Sequence, residues 1–325
     1  MNRRLLLLAL FSCAVLCAAP FAGAFYISPG EIFHGTDSAA AEIICGLRLP
    51  RVALGWITGA ALAICGLVFQ ALFRNPLASP DMLGVSMGAA LGAVIYIRLG
   101  LSFMLFGFLS GLSAAAFVGA FLSIALLYAA GSLKKDGLSI NTLLLAGVAL
   151  NFLFGSVNMM IQYTGGFADS FKMMRWTMGG LQTVGFTAAF TALPGLLIIA
   201  SVGWLAGPQL DLLVCGEEMA SGRGVAVKNL RRLLFFAVSL VTGISVALCG
   251  PVGFVGLMCP HIARAITGGS HRELSLSCLF LGGAFLVICD TAARTLWAPA
   301  ELPVGIITSA LGSLFFLHLL IKGVR

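Results

Sequence analysis

An all-α polytopic membrane protein with ten transmembrane helices is the fold class this sequence predicts, and three observations carry it. Of the 325 residues, 60% are hydrophobic and only 10% are charged. A soluble globular chain carries about 25% charged residues, so this one has too little polar surface to face water. Asp, Glu, Lys and Arg are absent from nine long runs, and a helix needs about 20 apolar residues to cross a bilayer. One of those runs is broken by Gly250-Pro251, where proline removes a helix donor and clashes with the preceding turn.

The charge-free runs are 5–30, 52–73, 82–97, 99–133, 137–168, 176–210, 233–263, 274–289 and 302–321. The seventh is too long for one upright helix. The Gly-Pro break splits it into 233–249 and a short helix near 253–266, which brings the count to ten. Arg3 and Arg4 precede the first span, and Lys322 and Arg325 follow the last. Cytoplasmic flanks carry the excess of Lys and Arg. Threading ten spans places thirteen of the 19 basic residues inside, so both termini are expected in the cytoplasm. The net charge of +7 then reflects loop arginines and lysines and not a nucleic-acid surface. Residues 1–24 also resemble a signal peptide. The apolar stretch continues to Gly30, however, and its loss would break the even count, so it is read as the first span.

Chemistry-bearing motifs are missing. The nine cysteines form no C-x-x-C pair, the four histidines are scattered, and neither a Walker-type loop nor H-E-x-x-H nor G-x-S-x-G occurs. Cysteine in an apolar run acts as a small hydrophobe. The expectation is no catalytic residue, no metal site and no cofactor in this chain. The 40 glycines, as in Gly84-V-S-M-Gly88, let membrane helices approach closely. One membrane domain, 1–325, is expected.

Four polar stretches stand above this background. Arg48-L-P-Arg51 flanks the outer mouth of the second span, where snorkelling to lipid headgroups accounts for it as well as docking does. Gln70–Asp81 forms an inner loop with two prolines and puts Asp81 near a helix N-terminus, where an acid is favourable. Residues 207–232 make the longest hydrophilic segment, with Asp211, Glu217 and Glu218 beside Arg223, Lys228, Arg231 and Arg232. A cytoplasmic loop of this size in a chain without an energy source reads as a docking surface. Asp290 and Arg294 stand at i,i+4 and are expected to pair on one helix face, with Arg294 reaching toward the mouth.

With these residues in hand, the chain is similar to the permease subunits of type II ABC importers for iron-siderophores, haem and cobalamin, the FecCD/BtuC-like family. The likeness runs almost end to end. It is carried by RLPR at 48–51, GAALAICGLVFQALFRNPLASPDMLGVSMGAALGA at 59–93, LLLAGVAL at 143–150 and W-x-M-G-G at 176–180. It continues through the 216–225 loop, GPVGFVGLMCPHIAR at 250–264, D-x-x-x-R at 290–294 and ELPVG at 301–305. The resemblance implies a homodimer in the bacterial inner membrane. Two cytoplasmic ATPase subunits carry ATP and Mg²⁺, and a periplasmic or lipid-anchored binding protein supplies the cargo. It implies that Gly216, Glu217, Ala220, Gly224 and Val225 form the coupling loop, with Arg223 where the family usually has leucine. Arg48, Arg51 and Arg294 dock the binding protein, and Ile140 and Asn141 sit at the inner gate. The last span carries Gly312-S-L-F in place of the family's G-x-P-x-F and is expected to be straighter. The cargo it implies is an iron chelate, siderophore or haem, with cobalamin as the alternative.

Two other classes make distinct demands. An ion-coupled secondary transporter wants carboxylates near mid-membrane in broken helices, and only Asp290 comes close; uptake without an ATPase would favour it. An intramembrane enzyme wants a nucleophile with a base, and turnover by the chain alone would favour that.

Overall fold

The computed structural model describes residues 3–23, 38–105, 109–132 and 140–322. The described residues are almost entirely helical: α1 (Arg3–Ala18), α2 (Leu49–Phe73), α3 (Val85–Arg98), α4 (Gly111–Ser132), α5 (Ile140–Tyr163), α6 (Phe167–Thr177) and α7 (Thr187–Leu205) come first. They are followed by α8 (Gly207–Cys215), α9 (Glu217–Gly222), α10 (Val227–Cys249), α11 (Val255–Thr267), α12 (His271–Thr295) and α13 (Val304–Lys322). A two-stranded antiparallel pair, β1 (Met104–Leu105) with β2 (Leu109–Ser110), leads into α4 and sets Met104 opposite Ser110.

Among the described residues eight helices are long and apolar enough to cross a membrane, and α3 is a shorter apolar helix. The 13-residue α11, with Pro260 inside, is shorter still. At 1.5 Å per residue α3 and α11 reach about 20 Å, less than the ~30 Å hydrocarbon core. The expected break lies where the sequence puts it: α10 stops at Cys249, and Gly250 takes φ 66° before α11 starts at Val255. The 176–210 run yields a shorter span than its length predicts. Gly179 turns the chain at φ 73°, and the Gly180 N–H donates to the Cys249 carbonyl (2.7 Å). That detour fastens the segment to the end of α10.

α2 is the axis of the fold. The apolar window of its span is 83% buried, against 17% for α5 and 22% for α13, so α2 is a core helix while the others face lipid or another chain. It packs against α7, α10, α11 and α12. Two close approaches make this possible. A Cβ on Gly66 would collide with the Gly256 carbonyl of α11, and one on Gly59 with the Gly282 carbonyl of α12. Small residues let backbones pack in this way in membranes. α1 lies along α12, and Trp56 Nε1 donates to Ser12 Oγ (2.8 Å). In α13, Gly312 leaves room for the Phe254 ring.

Candidate coupling surface and outer charge cluster

Polar side chains gather at two opposite ends of the bundle. At one end, α8 opens with Pro208 in its first turn, a position where the missing N–H costs nothing. Leu210 and Leu213 are buried and hold α8 to α2 and α12. Gly216 separates α8 from α9, whose first turn carries Glu217 and Glu218. Carboxylates at that end favour the helix dipole. The far end closes by hydrogen bonds from Gly224 N to the Ser221 carbonyl (2.9 Å) and from Val225 N to the Ala220 carbonyl (3.0 Å). Gly224 sits at φ 84°, a left-handed conformation that suits glycine after a helix.

One face of α9 is fastened and the other is bare. Ala220 is fully buried and Val225 packs on the core. Glu217 pairs with Arg231 of α10 (2.6 Å) and lies 3.8 Å from Arg74 at the end of α2. Glu218, Met219, Ser221, Gly222, Arg223 and Gly224 are exposed. The result is a short, rigid knob with mixed charge and one large apolar side chain. Of the residues expected in this loop, Glu217, Ala220 and Val225 seat it, Gly216 and Gly224 shape its ends, and Arg223 points to its open side. Ile140 and Asn141 begin α5; their side chains lie outside the described residues.

Around this knob the same end holds contacts that no local pattern announces. Asp211 Oδ1 accepts hydrogen bonds from the His271 backbone N–H (3.0 Å) and from Nδ1 (2.5 Å). Arg264 Nη1 donates to Gln70 Oε1, and Gln70 Nε2 donates to the Leu257 carbonyl (3.2 Å), which ties the end of α2 to α11. The polar finish of the 250–264 stretch is therefore an internal clasp. Asp81 accepts from Ser86 Oγ (2.6 Å). Burial pushes the Asp81 carboxyl above its ordinary value, against the pull of that hydrogen bond.

At the other end Asp290 is the hub. It is 2% exposed. Arg51 donates to it through Nε (2.9 Å to Oδ2) and Nη2 (2.9 Å to Oδ1), and to Glu301 through Nη1 (2.8 Å). Arg294 Nε lies 3.2 Å from Asp290 Oδ2. The i,i+4 pair is present, but Arg294 is 4% exposed and turned inward, because two arginines converge on one buried carboxylate. Arg48 is 8% exposed and donates to the Pro20 carbonyl (3.1 Å). Arg48 and Arg294 are thus buried and Arg51 partly buried, and the three brace the mouth. A cavity of about 340 Å³ opens beside Arg51, lined by Lys172, Arg175, Trp176, Gln182 and Glu301. Among the described residues no group of three His, Cys, Asp or Glu side chains comes together as a metal site. His261 meets the Phe315 ring edge-on at 5.7 Å.

The comparisons agree with this architecture. Residues 6–322 match the model of the FecCD transport family. The chain is 40% identical to the cobalamin import system permease protein BtuC of Halobacterium salinarum, over 88% of this chain and 75% of that one. It is 36% identical to the hemin transport system permease protein HmuU of Yersinia pestis, over 88% and 85%. A solved structure of a metal-chelate type ABC transporter in an inward-facing conformation superposes with a TM-score of 0.88 at 29% identity, covering 99% of this chain and all of that one. The chain belongs to the FecCD transport family and, like these relatives, is a multi-pass membrane permease subunit of an ABC importer, not itself an enzyme.

Proposed function

We propose that this permease works as a homodimer of ten-span subunits in the bacterial inner membrane, both termini cytoplasmic, and moves an iron chelate, siderophore or haem, into the cytoplasm. The carrying observation is the seated knob of α9, bare on one side, in a chain that has no nucleotide-binding loop. Two cytoplasmic ATPases, which bind ATP and Mg²⁺, grip α9 within the 207–232 segment. The chain itself holds no cofactor. A periplasmic or lipid-anchored binding protein docks over the opposite end, where Arg48, Arg51 and Arg294 set a positive field from just below the surface. Ile140 and Asn141 form the inner gate. The open apolar face of α5, with Phe152 and Met159 exposed, is surface for the second copy. The 40% identity to a cobalamin permease favours cobalamin as the second reading of the cargo.

The test is reconstitution with the cognate ATPase and binding protein in proteoliposomes. ATP-dependent uptake of a ferric chelate or haem is expected, and none without the ATPase. Uptake of cobalamin alone would replace the first cargo by the second. ATP-independent uptake would overturn the importer mechanism.

A further inference from the structure

The cytoplasmic segment is fastened to one helix with unusual thoroughness. Asp211, on α8, accepts both the backbone N–H and the ring Nδ1 of His271, the first residue of α12. A carboxylate there also complements the positive end of the helix dipole, so Asp211 serves as an N-terminal cap supplied from another element. His271 is 7% exposed, and its Nε2 is buried with no hydrogen-bond partner among the described residues, so the ring has one polar anchor. The next residue repeats the fastening: Arg272 Nε donates to the Trp204 carbonyl at the end of α7 (3.1 Å), and its guanidinium stacks over the Trp204 ring at 5.7 Å.

α12 then runs 25 residues without interruption, about 37 Å, and delivers Asp290 and Arg294 to the outer cluster. Midway it is locked to α2 at the Gly59–Gly282 approach. α2 ends beside Glu217 of α9 through Arg74. The two helices form one stiff pair, held to α8 and α9 at one end and clamped to each other by Arg51 and Asp290 at the other.

We propose that the Asp211–His271 clasp is the positioning contact through which movement of the α8–α9 segment is passed to α12 and so to the outer Arg51–Asp290–Arg294 cluster. The proposal rests on the reading of α9 as the ATPase contact. Asp211 and His271 touch neither cargo nor nucleotide; they set the angle between the knob and the lever.

The experiment uses the full reconstituted importer and reads cargo moved per ATP hydrolysed, with the ferric chelate transported by the wild type as probe. Asp211→Ala and His271→Ala are expected to leave hydrolysis running while cargo per ATP falls about 2- to 30-fold, the range for substitutions along a coupling route. Asp211→Asn keeps an oxygen for the His271 N–H and is expected to recover part of the ratio. Equal losses of hydrolysis and transport in all three variants, or an unchanged ratio, would overturn the clasp. Gly224→Pro separates the two readings. It should abolish ATPase assembly if α9 is the contact; normal assembly and transport in Gly224→Pro would sink the docking reading itself.

Discussion

Replacing Asp290 by alanine probes the outer cluster most directly. In the wild type one carboxylate, 2% exposed, answers two guanidinium groups. Arg51 reaches it through two nitrogens and keeps Glu301 as a second partner at 2.8 Å. Arg294, whose side chain is 5% exposed, has Asp290 within 3.2 Å and no other acid paired with it among the described residues. Removing the carboxylate therefore strands mainly Arg294 as a buried charge. Leaving one partner of a buried pair uncompensated costs about 3–5 kcal/mol. For a chain of this size a kilocalorie moves Tm by about 2 °C, so Asp290→Ala should lower it by about 6–10 °C. The assay is thermal unfolding of purified permease, followed by loss of the monodisperse peak in size-exclusion chromatography. Asp290→Asn should fall between. Asp290→Ala with Arg294→Ala should be more stable than Asp290→Ala alone, since the stranded charge has gone with its partner. A single alanine variant within about 1 °C of wild type, or a double variant that is worse by the simple sum, would refute the argument.

Gly66→Ala should cost about 1–3 kcal/mol by overpacking, because its Cβ meets the Gly256 carbonyl and not a side chain that can swing away; Gly195→Ala on α7, whose Cβ would meet the Val241 and Ile244 side chains at an ordinary 3.7 Å, should be neutral in the same Tm assay. Asp81→Asn keeps an oxygen for Ser86 Oγ and removes the charge that burial disfavours. A carboxyl raised in the folded state destabilises as pH rises above its unfolded value of about 3.9, so the variant's stability advantage should be absent near pH 4 and grow toward pH 7; an advantage independent of pH would contradict the burial argument. Reporter fusions after Lys135 and after Arg325 should both report cytoplasm, and a periplasmic signal from the second would overturn the orientation.

Much of this molecule was legible in the sequence because a membrane imposes one-dimensional rules. Charge-free length marks spans, so α2, α10 and α12 fall where the runs lie. Gly250-Pro251 marks the break between α10 and α11 because proline cannot continue a helix there. The knob of α9 could be anticipated from Glu217, Glu218 and the glycines after them. The Asp290–Arg294 pair follows from its spacing on one turn.

What only the tertiary structure decided are the contacts between residues far apart in the chain. Nothing in RLPR says that Arg51 reaches Asp290, 239 positions away, or that Arg48 and Arg294 turn inward. The signal was the cost of an ionisable group near a span, which demands a partner without naming it. The same holds for Asp211 with His271 and for Gln70 with Arg264, whose separations of 60 and 194 residues lie beyond any helical period. Sequence fixes which groups must be satisfied, because desolvation acts on each residue by itself. Packing alone selects which partner satisfies them, because that depends on which helices the glycines of α2 allow to come close.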